Sequence, residues 1–269
     1  RLPKGIDMSE FEKECAAART ATGGELDTMI YHPAPQVLLA LLENPALDEE
    51  KLRLLLTRKD LPAEILAEIG SRKELLKNHA VKRALLFHVH TPRLVGLRLL
   101  KSMYLMDLVQ FALLPSAPID LRRNAEEQVI ARLSQLPLGQ KITLARRAPA
   151  RVAGALIREG HPQVLAIVLD NPYLNEAQVL KALAGENVRA HVVQAVANHR
   201  KWSQSYNVRL ALVRNASAPL ATVLAFLPEI TVSDLRELAA PGVVPENFSN
   251  YLQAEIQRRM RAAKDSSEN

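Results

Sequence analysis

The chain has 269 residues and a formal net charge of +6, from 35 Lys and Arg against 29 Asp and Glu. Its apolar content of 48% is too high for a disordered chain, and a single cysteine, Cys15, excludes a disulfide framework and any site built from several cysteines. No apolar run approaches the roughly 18–20 residues that a membrane span needs. Only 10 glycines and 4% aromatics, beside many Leu and Ala, argue against a β-sandwich or barrel and predict an all-α fold.

The first ten residues, RLPKGIDMSE, carry no apolar signal core. Together with the free Cys15, this predicts a cytoplasmic protein, because secreted proteins of this size tend to pair their cysteines. Residues 1–34 match the later sequence only poorly. We interpret them as an N-terminal cap or a degenerate repeat.

Apolar stripes at helical spacing then predict a series of short helices of about two to three turns each. The first stripe contains Val37, Leu38, Leu41 and Leu42. Asn44-Pro45 ends that helix, because the residue before a proline is pushed out of the α region. Asp48 then stands where an N-cap belongs.

The same pattern returns further along the chain. PQVLLALLENPALDEEKLRLLL from Pro35 aligns with PQVLAIVLDNPYLNEAQVLKAL from Pro162, an offset of 127 that is called the repeat offset below. Residues 35–133 and 162–260 share 22 identities in 99 positions without a gap, where typical composition gives roughly 7–9 by chance. Asn175 repeats the N-cap, and Thr231-Val-Ser-Asp234 has capping-box spacing. We interpret this as an internal tandem duplication.

These observations predict one continuous α-solenoid of about 14–16 short helices, since short helix pairs become stable only when stacked in series. The predicted segments are a cap at 1–34, a first repeat half at 35–133, connecting helices at 134–161, a second half at 162–261 and a disordered tail at 262–269.

The recurring form V-x-x-A-L-x-x-N-x-x-x-P, followed by D-L-x-x-L-A, resembles the HEAT-like and leucine-rich-repeat-variant α-solenoids of bacteria. The resemblance covers about residues 35–260 and concerns architecture. The leucine-rich-repeat-variant type implies a cysteine-bound iron–sulfur cluster, which one cysteine cannot hold. We therefore expect no cofactor.

Basic residues are the main candidate for function. Residues 70–101 hold eight Lys and Arg against one acid, and residues 134–214 hold eleven against four. Equivalent positions of a solenoid share a face, so a basic ladder there would suit phosphates or acidic side chains. The candidate ligand-binding residues, called the basic set below, are Arg146, Arg147, Arg151, Arg158, Arg200, Lys201, Arg209, Arg214, Lys73 and Lys82.

Three interpretations of the basic set stay open at this point. It is a solvated helix face, a surface for an acidic peptide or protein domain, or a surface for nucleic acid. Because stacked repeats form a long preformed groove, we expect a binding scaffold for a protein partner, with nucleic-acid binding as the alternative. The sequence does not predict an oligomeric state.

Catalysis is not expected, because the chain has no Gly-rich phosphate loop, no GxSxG, no HExxH and no paired-carboxylate motif. HEAT-like alkylpurine DNA glycosylases are the solenoid enzymes to consider, and they use an aspartate in an aromatic cleft. Here Asp107 and Asp234 occupy equivalent repeat positions, which indicates a scaffold role.

His88 and His90 form the one metal-like pair in the sequence. A zinc site needs a third ligand, and the sequence does not supply one nearby. We therefore interpret the two histidines as a polar helix-end pair and expect no metal.

Overall fold

The fold comes from a computed structural model that describes residues 8–185 and 188–265. Over these residues the chain forms 18 α-helices and three single 3-10 turns, with no β-strand. The predicted all-α class is confirmed, and there are more helices than the sequence pattern indicated. In the same residues, no helix is both long and apolar enough to cross a bilayer.

The chain divides into two compact units between Val129 and Ile130. The helices that begin in the first unit are α1 (Met8–Thr20), α2 (Gly23–Ile30), α3 (Pro35–Leu41), α4 (Glu49–Leu55), α5 (Ala63–Ser71), α6 (His79–Phe87), α7 (Arg93–Leu100), α8 (Leu105–Ala112) and α9 (Ile119–Arg132).

The helices of the second unit are α10 (Leu138–Arg147), α11 (Ala150–Glu159), α12 (Pro162–Val168), α13 (Glu176–Leu183), α14 (Ala190–Asn198), α15 (Tyr206–Arg214), α16 (Leu220–Phe226), α17 (Val232–Leu238) and α18 (Glu246–Asp265). The last helix thus continues through 262–265, where the sequence pattern indicated a disordered tail; residues 266–269 lie outside the described residues.

The helix boundaries of the two units correspond at the repeat offset. Each helix from α11 to α18 begins at that offset from its counterpart among α2 to α9, as Ala150 does from Gly23 and Glu246 from Ile119. The first helices α1 and α10 end at the same offset, at Thr20 and Arg147. The correspondence therefore includes residues 1–34 and 134–161, which the sequence indicated only as a cap and as connecting helices.

Within each unit, helices pack on the helix two places further along the chain. In the first unit α1, α3, α5 and α7 form one such series, and α2, α4 and α6 form another. In the second unit the two series are α10, α12, α14 and α11, α13, α15. The buried faces are mostly Leu, Val, Ile and Ala, including the predicted stripe at Val37, Leu38, Leu41 and Leu42. Each short helix is therefore stabilised by burial against its neighbours more than by its own length.

The predicted N-caps are confirmed. The side chain of Asp48 accepts from the Lys51 backbone NH, that of Asn175 from Gln178, and that of Thr231 from Asp234. Each satisfies one of the NH groups that the first turn of a helix leaves without a partner.

Two buried asparagines hold equivalent turns in the two units. The side-chain NH₂ of Asn44 donates to the carbonyls of Ala18 and Ala21 at 2.8 and 2.9 Å. At the repeat offset, the NH₂ of Asn171 donates to Ala145 and Ala148 at 2.8 and 3.1 Å. The Oδ1 atom of each accepts from the backbone NH two residues ahead. Each amide therefore joins the end of one helix to the turn after another.

A second pair of equivalent positions carries a polar contact in both units, but between different residue types. In the first unit His32 Nε2 lies 3.6 Å from a carboxylate oxygen of Glu14. At the equivalent positions of the second unit, Lys141 and Glu159 form an ion pair whose lysine side chain is only 11% exposed. A polar contact thus occurs at the same place in both units, although none of the four residues matches its counterpart in type.

Candidate functional site

A groove of about 1100 Å³ lies in the first unit along α4 and α6. Its apolar surface comes from Leu54 on α4 and from Ala80, Ala84 and Phe87 on α6. Leu54 is 36% exposed, and Val89 at the rim is 59% exposed. The groove therefore offers water-accessible apolar surface on small and large side chains, as binding sites for other molecules commonly do.

The helices that line the groove run side by side in the same direction. At their starts, the Asn78 side chain donates to the Glu49 carboxylate. At their ends, His88 Nε2 lies 2.6 Å from the backbone carbonyl oxygen of Arg58. One end of the groove therefore lies at the N-termini of α4 and α6, and the other end lies at their C-termini.

Opposite charges stand at these two ends. Asp27, Asp48 and Glu50 line the groove at the start of α4, and Arg53 and Lys59 line it towards and beyond the end of that helix. Lys51, between them, is paired with Asp27. The groove is thus acidic at the helix starts and basic at the helix ends.

One wall of the groove is fixed by a polar cluster around Asp107. Arg83 lines the groove, donates from Nε to Asp107 Oδ1 at 2.8 Å, and lies over the Phe87 ring at 4.8 Å. His79 Nε2 is 2.6 Å from the other oxygen of Asp107, and the His79 ring stacks on Tyr104 at 3.7 Å. Both oxygens of this carboxylate, whose side chain is 14% exposed, are therefore already bound.

Asp234 occupies the equivalent place in the second unit. It accepts hydrogen bonds from the Tyr206 hydroxyl and from Thr231 Oγ1, and these two bonds lower the pKa of Asp234. The carboxylate is an acceptor tied to its neighbours at neutral pH. The sequence-based interpretation of Asp107 and Asp234 as parts of the scaffold agrees with these contacts.

The groove residues of the first unit change character at the equivalent positions of the second. Lys181 stands where the first unit has Leu54, Leu210 where it has Arg83, and Arg214 where it has Phe87. Arg214 pairs there with Glu237 at 2.8 Å. The combination of an apolar surface and two charged ends is therefore a property of the first unit's sequence. The helix arrangement, which both units share, does not produce it alone.

None of the ten residues in the basic set lines this groove. Arg209 and Arg214 are engaged within their own unit, Arg209 with Glu229 and the Ser203 carbonyl and Arg214 with Glu237. Arg151 is half-buried and is not a free side chain. Lys82 is half-buried as well. Three of these residues thus have partners within the protein, and Lys82 is only partly accessible.

The remaining members of the basic set are exposed. Arg146 and Arg147 end α10, Arg158 lies near the end of α11, and Lys73 follows α5 in the first unit. Arg200 and Lys201 line a shallower concavity of about 550 Å³ together with Asp170, Asn198, His199 and Gln204. Lys201 Nζ lies 4.2 Å from the centre of the Trp202 ring.

Several other arginines have a structural role that the sequence did not reveal. Helices leave carbonyl groups without partners at their ends, and here long side chains from further along the chain bind them. Arg72 donates to the Leu42 carbonyl at 2.7 Å, Arg189 to Glu159 at 2.7 Å and Arg259 to Leu227 at 2.6 Å. Some of the basic residues therefore stabilise the fold by binding carbonyl groups at helix ends.

His88 and His90 also bind backbone carbonyls, in this case in the loop between α4 and α5. His88 binds the Arg58 carbonyl, and His90 Nδ1 lies 3.0 Å from the Leu61 carbonyl oxygen. At the position equivalent to His90, Ser217 Oγ donates to the Val188 carbonyl at 3.1 Å. The helix-end interpretation agrees with these contacts. In the part of the chain that the structure describes, no three His, Cys, Asp or Glu side chains are grouped so that they could hold a metal ion.

Comparison of the chain with protein-family models, with curated proteins and with solved structures gave no match.

Proposed function

We propose that the chain is an α-solenoid of HEAT-like repeats that arose by internal tandem duplication. Three kinds of observation support this: helices that begin at the repeat offset, the paired amides of Asn44 and Asn171, and packing of each helix on the second one along. Serial packing of this kind is typical of repeat proteins, whose units each bury their apolar face on the next.

We further propose that the protein is a non-catalytic binding scaffold for a protein partner, located in the cytoplasm. The groove of the first unit is the observation that carries this function. It is open, larger than the roughly 300–1000 Å³ of typical small-molecule pockets, and lined by apolar and charged side chains of both signs. Such a surface suits a peptide segment better than an enclosed metabolite.

Scaffold function is supported by the state of the candidate acids. A general acid or base needs a carboxyl that can reach the substrate. Both oxygens of the Asp107 carboxylate are instead bound by neighbouring side chains, and the Oδ2 atom of Asp234 accepts two further side-chain hydrogen bonds. This favours a binding role over glycosylase-like chemistry.

A peptide-display selection on the immobilised 269-residue chain tests the proposed function. We expect a set of related sequences to be enriched, and we expect synthetic copies to bind with one site per chain in isothermal titration. Enrichment of no sequence above background, over repeated selections against the folded chain, would contradict a peptide-binding scaffold.

Nucleic-acid binding is the second candidate, favoured by exposed Arg146, Arg147 and Arg158 in the second unit. Arg209 and Arg214 are already paired with carboxylates, so a phosphate would have to displace Glu229 and Glu237 to bind them. We therefore expect no saturable gel shift with mixed-sequence duplex DNA or single-stranded RNA at about 50 mM salt. A shift whose log affinity falls linearly with log salt, and which weakens when these three arginines are changed to Gln, would favour nucleic acid instead.

A further inference from the structure

We infer that the groove binds an amphipathic helix of a protein partner, with acidic residues in its first turn, basic residues in its last turn and apolar residues between them. This inference rests on the proposed scaffold function and names the partner's chemistry and direction. It follows from three features of the groove: which charges are free, where they stand, and what lies between them.

The free charges of the groove are separated by sign. Asp27 is neutralised by Lys51, and Arg83 by Asp107. The lining charges without an ion-pair partner are then Asp48, whose Oδ1 atom caps α4, and Glu50 at the start of that helix, with Arg53 and Lys59 towards and beyond its end. Glu50 and Arg53 lie one turn apart on α4, about 5 Å along its axis, and Lys59 lies beyond the end of that helix. Asp48 and Lys59 therefore face different turns of a bound helix.

The surface between the charges suits a helix. Ala80 and Ala84 lie one turn apart on α6 and leave a shallow channel, which is bounded by Leu54 on one side and Phe87 at the far end. Phe87 is fixed by an edge-to-face contact with Phe111, with ring centres 5.5 Å apart. A bound amphipathic helix would place its apolar residues, spaced three and four apart, along this channel.

The direction follows from the electrostatics of helices. Acidic residues stabilise a helix at its N-terminus and basic residues at its C-terminus. A ligand helix with that order matches the groove only if its N-terminus faces Arg53 and Lys59 and its C-terminus faces Asp48 and Glu50. The ligand therefore lies antiparallel to α4 and α6.

The second unit provides the design of the test, because it carries different residues at the same places. Leu54→Lys and Phe87→Arg introduce the residues that occur at positions 181 and 214. Leu94→Lys is the matched control, since Leu94 is 73% exposed on α7 and lies outside the groove. Circular dichroism and thermal melts show which variants remain folded, and Leu54→Lys tests the groove even if Phe87→Arg disturbs the contact with Phe111.

The test uses peptides selected on the 269-residue chain and measures their affinity by fluorescence anisotropy. We expect enriched peptides with acidic first turns and basic last turns, and we expect Leu54→Lys to weaken them by about 10-fold or more while Leu94→Lys changes affinity less than about twofold. We expect Arg53→Glu with Lys59→Glu to weaken the same peptides by about fivefold, and a peptide whose acidic first turn is replaced by lysines to recover affinity for that variant, because both ends of the groove are then acidic.

Two results separate this inference from the function on which it rests. Peptides that bind tightly but are insensitive to Leu54→Lys, or that prefer the reversed charge order on the wild-type chain, would overturn the inference and leave the scaffold function standing. Failure to enrich any peptide would overturn both.

Discussion

Replacing Asn171 with Asp is expected to lower the free energy of unfolding by about 3–5 kcal/mol at neutral pH. The side chain is buried, and its NH₂ group donates to the carbonyls of Ala145 and Ala148. A carboxylate in its place would be a buried charge that faces two carbonyl oxygens without a donor. Urea denaturation followed by circular dichroism measures the change.

The size of this effect should depend on pH. A protonated carboxyl can donate one hydrogen bond, so the destabilisation relative to wild type should shrink as the pH falls below the pKa of the introduced group. Asn198→Asp is the control, because Asn198 is exposed and uses its Oδ1 atom as an acceptor from Gln194, so a change within about 0.5 kcal/mol is expected. A loss below about 1 kcal/mol for Asn171→Asp would contradict the role assigned to this amide.

Replacing Lys141 with Met is expected to cost about 2–4 kcal/mol, because it leaves the carboxylate of Glu159 without its partner in a site where the lysine side chain is 11% exposed. The double variant Lys141→Met with Glu159→Leu removes both charges and should recover most of the loss. Thermal and urea unfolding of the two variants measure the difference.

Lys181→Met is the matched control for this pair, since Lys181 is exposed on α13, and it should change stability by less than about 0.5 kcal/mol. A double variant as unstable as the single one would show that packing around Lys141, and not the unpaired charge on Glu159, accounts for the loss.

Many of the helices could be predicted because local sequence signals determine where they begin and end. The apolar stripe from Val37 to Leu42, the Asn-Pro helix ends and the caps at Asp48 and Asn175 each act within a few residues, so their spacing is enough to locate helices. The match between the segments from Pro35 and Pro162 is visible in the sequence for the same reason, since their buried apolar residues are of the same types.

The correspondence between the first helices of the two units is not visible in residue identities. Glu14 and His32 make a contact at the positions where Lys141 and Glu159 form an ion pair, so the position recurs while the residue types do not. Identity alone cannot detect such a change, because only the joint replacement of two residues that are distant in sequence keeps the contact.

The candidate site was beyond prediction for a related reason. Arg72 and Arg189 use their charge to bind carbonyls 30 residues back in the chain, and Arg209 is paired with Glu229. A count of Lys and Arg in the sequence assigns these arginines to a basic surface, although their side chains are bound within the protein and stabilise the fold. The groove itself combines residues of α4 and α6, which meet only because each helix packs on the second one along.

Hydrogen–deuterium exchange of the 269-residue chain, with and without a selected peptide, tests the central proposal most directly. The proposal predicts slower exchange in α4 and α6 (Glu49–Leu55 and His79–Phe87) and unchanged exchange in their counterparts α13 and α15 (Glu176–Leu183 and Tyr206–Arg214). Protection confined to α10, α11 and the segment at Arg200 and Lys201 would contradict it and would place binding on the exposed basic residues of the second unit.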